Sequence, residues 1–100
     1  MTTADKLVLL KADLQLLTNS NDTFLTHLLS AAEAAMVREG ITNDDSTEFN
    51  ACQISYAAYL FRKRAASTAG GKDSETGMPR FLRWQMNNLL LSQKIQEGTA

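Results

Sequence analysis

The seventeen residues from Met78 to Lys94 read as one helix with apolar side chains on two sides, and no other segment constrains the fold as much. Pro79 stands in the first turn, where its missing N–H costs nothing. At about 100° per residue, Leu82, Met86, Leu89 and Leu90 fall on one face. Phe81, Trp84, Leu91 and Ile95 fall on a second, roughly opposite, and Asn88 lies within it. Polar stripes separate the two: Arg83, Asn87 and Lys94 on one side, Gln85, Ser92 and Gln96 on the other. One face serves the subunit's own core. The other calls for a partner.

Three further helical segments precede it. Leu7, Leu10, Leu14 and Leu17 keep helical spacing and predict a first helix from about Thr3 to Leu17. The polar turn at residues 18–22 supplies an N-cap for a second, roughly Thr23 to Glu39. Its single apolar stripe is Phe24, Leu25, Leu28, Leu29, Ala32 and Met36. Gly40 suits a left-handed helix end, with Ile41 folding back as its hydrophobic contact. Asp45 and Glu48 have capping-box spacing ahead of a third helix, about Ser46 to Ala66. Phe49, Cys52, Tyr56, Tyr59 and Leu60 form its main face. Ala51, Ala58 and Ala65 recur every seven residues on the far side, beside Ile54 and Phe61, and such a lane lets another helix approach closely. Residues 67–77 are small and polar and predict a mobile loop between the third and fourth helices. The expectation is one domain over residues 1–100, a small all-α four-helix bundle.

Composition agrees with that class. One proline, five glycines and abundant Ala, Leu, Gln and Met favour helix. Unbroken aliphatic runs are far too short to span a bilayer, so no membrane partner is expected. Charged residues interrupt the N-terminus, which disfavours a signal peptide. The single cysteine, Cys52, has no internal disulfide partner and fits a reducing compartment. Net charge is −1, yet residues 1–50 carry three basic and eight acidic side chains, and residues 51–100 seven basic and three acidic. Unless folding intermixes the halves, copies of such a chain attract one another head to tail.

Three segments, in order, resemble the small head–tail connector (adaptor, or head-completion) proteins of long-tailed bacteriophages. They are residues 28–41, residues 57–65, and the stretch from Gly77-Met78-Pro79-Arg80-Phe81-Leu82-Arg83-Trp84 through Asn87-Asn88-Leu89-Leu90 to Lys94. The resemblance covers most of the chain, but the first helix carries no family signature. It implies helical subunits that form a ring of roughly twelve copies under the portal of the DNA-filled head. That ring extends the DNA channel without sequence recognition and offers a platform to the next head-completion or tail-terminator protein. The implied location is the virion, after assembly in the bacterial host cytoplasm. The resemblance implies neither catalysis nor a cofactor.

On this reading the candidate subunit or portal interface is Phe81, Trp84, Asn88, Leu91 and Ile95, with the lane Ala51, Ala58 and Ala65. Phe81 and Trp84 are its expected anchors, since buried aromatics carry much of the binding energy of an interface. A second group, Arg62, Lys63, Arg64, Arg80 and Arg83, together with Lys72, concentrates six of the ten basic residues in 22 positions. It suits intersubunit salt bridges, contact with channel DNA, or simply a solvated helix end. His27 has no second ligand at metal spacing, so no metal site is expected. Cys52 reads as a small core side chain. No nucleophile–base pair or phosphate loop is present, and the chain is not expected to be an enzyme. The competing reading is a small helical DNA-binding regulator with the basic segment on a recognition helix, although the turns beside the third helix do not suit a helix-turn-helix.

Overall fold

The computed structural model describes residues 1–68 and 78–98, with side chains for residues 1–64 and 78–95. Among the described residues there are four α-helices and no strand: α1 (Thr3–Leu14), α2 (Asp22–Arg38), α3 (Thr47–Thr68) and α4 (Arg80–Gly98). The expected all-α bundle is what forms. The loop expected at 67–77 lies outside the described residues, except that α3 runs on through its first two positions to Thr68.

Local hydrogen bonds explain where the helices begin and end. Thr2 and Asp5 form a reciprocal capping box at the start of α1: the Thr2 hydroxyl accepts from the Asp5 N–H at 3.1 Å, and the Asp5 carboxylate from the Thr2 N–H at 3.4 Å. The helix ends at Leu14, a turn earlier than its leucine spacing predicts. Gln15 adopts a left-handed conformation (φ 59°), and the Leu16 N–H turns back to the Lys11 carbonyl at 2.9 Å. That reversal packs Leu16 against the core and leaves Leu17 97% exposed.

At the start of α2, Asn21 occupies the cap position but makes no side-chain cap bond. Instead Lys11 ties α1 to this turn, bonding Asn19 at 2.6 Å and pairing with Asp22 at 3.0 Å. The other end of α2 follows expectation. Gly40 has φ 99°, its N–H donates to the Val37 carbonyl at 2.9 Å, and the N–H of buried Ile41 donates to the Met36 carbonyl at 3.0 Å.

The capping box expected from Asp45 and Glu48 is absent. Asn43 and Asp44 side chains accept from the N–H groups of Asp45 and Ser46 in two successive turns, which moves the chain one residue along. Ser46 then caps α3 by accepting from the Phe49 N–H at 3.1 Å. Asp45, at φ 57°, binds the Met1 ammonium at 2.9 Å and Asn50 at 3.1 Å. Its carboxyl is held below the usual range, chiefly by the bond from that ammonium.

The core is in two pieces, and α3 belongs to both. Leu10 of α1, Leu25, Leu28, Leu29 and Ala32 of α2, and Ile54, Ala57 and Ala58 of α3 make one cluster. Met36, Ile41, Phe49 and Cys52 make the other with Leu82, Met86 and Leu89 of α4. Tyr56 touches both. The two-sidedness of α3 is therefore used inside the chain. Ala58 and Ile54 pack under α1 and α2 and offer nothing to a partner, while Ala51 is exposed. The Ala65 side chain lies outside the described residues.

Candidate protein-docking face

Helix α4 packs chiefly on α3, so one flank of it is covered and the other is not. Leu82, Met86 and Leu89 are buried and Leu90 is half-buried. On the outer flank Phe81 is 66% exposed, Trp84 60%, and Leu91 and Ile95 58% each; Asn88 is also exposed. The Phe81 and Trp84 rings stack on each other, with centroids 5.8 Å apart and planes 29° from parallel. Four large apolar side chains in one stripe make a continuous apolar patch rather than scattered exposure.

A polar clamp fixes the orientation of α4. Gln93 is buried on its inner flank, where its side chain accepts from the Thr42 N–H at 2.8 Å and donates to the Thr42 carbonyl at 2.7 Å. It pairs with the backbone as a neighbouring strand would, satisfying two groups that burial would otherwise make costly. Beside it a groove of about 550 Å³ opens between the first turns of α3 and the outer edge of α4. Trp84, Asn88 and Ala51, three of the residues singled out from sequence, line it together with Asp44, Glu48 and Gln85. The Asp44 carboxyl sits below its ordinary range, mainly through its hydrogen bonds from Ser46. The Gln85 Oε1 is buried with no hydrogen-bond partner.

Lys72 lies outside the described residues, and the described basic residues each engage a different part of the chain or stand exposed. Arg62 reaches back to α1, pairing with the Asp13 carboxylate at 3.4 Å and bonding its carbonyl at 3.3 Å. The Lys63 ammonium lies over the Tyr59 ring at 5.8 Å, and the Arg64 guanidinium over Phe24 at 4.8 Å. Arg83 pairs with Glu39 at 3.8 Å, and Arg80 is exposed at the start of α4. Surface pairs of this kind contribute little stability. They do turn the cations toward their own chain rather than toward one shared ligand.

His27 is exposed on α2, and among the described residues no three His, Cys, Asp or Glu side chains converge on a metal position. Cys52 is fully buried, and burial pushes its thiol up to about 11, away from reactivity. Among the described residues no helix is long and apolar enough to cross a membrane. Sequence reasoning missed the buried polar groups Gln93, Gln53 and Lys6. Compared with models of known families, with curated proteins and with solved structures, the chain matches none.

Proposed function

We propose that this chain is a structural subunit of the head–tail connector of a long-tailed bacteriophage, joining the portal to the next head-completion or tail protein around a continuous DNA path. The observation that carries the reading is the outer flank of α4, four large apolar side chains each more than half exposed. They fall in one of the three segments that together carry the family resemblance. The chain would assemble into a ring at the portal through that flank, with Phe81 and Trp84 as anchors. The work is mechanical, and Arg62, Lys63, Arg64 and Arg83 lie against their own chain, which supports a DNA path that the subunit does not grip.

The test is a mass measurement with negative-stain imaging of the protein, alone and mixed with portal protein. Rings stacked on portals are expected. Trp84→Ala should weaken assembly by at least about 30-fold, the scale of an interfacial aromatic anchor. Because the indole is mostly outside the core, helicity and thermal midpoint should hardly change. A protein that ignores portals overturns the reading, and a Trp84→Ala chain that unfolds overturns the outward-facing role given to α4.

A further inference from the structure

The large exposed apolar residues of α4, with Asn88 among them, are spaced by three, four, three and four: Phe81, Trp84, Asn88, Leu91, Ile95. That is the a/d pattern of a two-heptad coiled-coil seam, with Phe81, Asn88 and Ile95 at a and Trp84 and Leu91 at d. The residues of the inner flank, Leu82, Met86, Leu89 and Gln93, all fall at b and f, so the seam lies on the flank turned away from the chain's own core. A surface with this period fits another helix, not a loop or a sheet edge.

Polarity then selects which helix, and in which direction. The g edge of the seam carries Arg80, Asn87 and Lys94. The e edge carries Gln85 and Ser92 and borders the groove lined by Asp44 and Glu48. We infer that in the free protein this face is covered by α4 of a second copy, parallel and in register about a twofold axis along the helices. In that arrangement each g edge lies against the other chain's e edge. Arg80 of each copy then faces the groove of the other, with its Asp44 and Glu48 carboxylates. Asn88 meets Asn88, and a buried amide finds both donor and acceptor.

Antiparallel pairing is worse on every count. It sets Arg80 against Lys94, turns one acidic groove toward the other, and places Asn88 opposite an apolar d side chain. The area is adequate as well. Four apolar side chains more than half exposed present on the order of 500 Å² per chain. Two such faces and their flanks reach the roughly 1,200 Å² from which stable interfaces begin.

A twofold contact closes at two copies. The pairing rests on α4 alone. Its consequence rests on the connector reading: the assembly face is covered until a portal surface displaces the second copy, so rings grow only on portals.

Sedimentation of the intact chain tests this, and twice the 11.0 kDa chain mass is expected at micromolar concentration. Residues facing each other at a across a parallel pair lie within about 7 Å, inside disulfide reach. Asn88→Cys should therefore link into covalent dimers on mild oxidation, while buried Cys52 stays reduced. Arg80→Glu should weaken the dimer about tenfold, and adding Glu48→Arg to the same chain should restore it. A monomer at high micromolar concentration overturns the pairing, as does a dimer in which the Asn88→Cys chains fail to link or the charge swap fails to restore. A monomeric chain that still builds rings on portals removes the pairing and leaves the connector reading. A dimer that never joins a portal does the reverse.

Discussion

Replacing Phe49 with alanine should lower the free energy of unfolding by about 3–5 kcal/mol, the largest single-residue effect expected in this chain. The ring is fully buried and lies where α3 begins, among Met36, Ile41, Cys52, Leu82, Met86 and Leu89. Those neighbours come from α2, the turn after it, α3 and α4, so the cavity would open where three helices meet. Its edge is rigid as well, because the Phe49 N–H is the group that Ser46 caps and the Lys6 ammonium stands 5.9 Å from the ring centre. A domain of this size has only about 5–15 kcal/mol in total. The variant should therefore be partly unfolded at 37 °C, and guanidinium titration followed by far-ultraviolet circular dichroism will show a much lower midpoint. A loss below about 1 kcal/mol would mean that the site collapses around alanine, against the tight packing described.

Gln53→Leu should cost about 2–4 kcal/mol even though leucine is the more apolar residue. Gln53 is 3% exposed and Lys6 8%, and the Gln53 carbonyl oxygen accepts from the Lys6 ammonium while its amide donates to the Leu29 carbonyl at 2.8 Å. Removing Gln53 leaves a largely buried ammonium facing hydrocarbon. Removing both charge and acceptor is different, because an apolar pair of similar shape carries no unmet polar group. Gln53→Leu combined with Lys6→Met should recover most of the lost stability. Equilibrium denaturation of the two single variants and the double variant measures the coupling directly. Additive losses would show that Lys6 reaches water without Gln53.

The helices and the two flanks of α4 were legible because they follow from periodicity. Leu82, Met86 and Leu89 sit where a period of 3.6 puts them, and so do Phe81, Trp84, Leu91 and Ile95. What periodicity does not convey is which of several surfaces a third helix will cover. Ala58 and Ala51 lie on one lane, yet α1 and α2 bury the first and leave the second open. Capping errors had a different origin: Asp45 had the right spacing, but two successive side-chain turns from Asn43 and Asp44 hand the cap to Ser46. The buried polar residues did leave a trace. Gln93 continues the inner stripe of Leu82, Met86 and Leu89, and Lys6 stands one turn before Leu10. Their partners, a backbone amide at Thr42 and a side chain in another helix, are long-range facts that no local pattern contains.

A core divided into two clusters that share α3 also sets how this molecule opens. Breaking the cluster that holds Leu82, Met86 and Leu89 frees α4 while Leu10, Leu25 and Leu29 keep α1 and α2 on α3. The chain should therefore open in two steps, α4 first, because α4 belongs to only one of the two clusters. Its amides should exchange with deuterium ahead of those in α2 and the first half of α3. Any molecule that grips the outer flank of α4 would join the two steps into one transition, so protection there should rise with occupancy while α2 stays as it was.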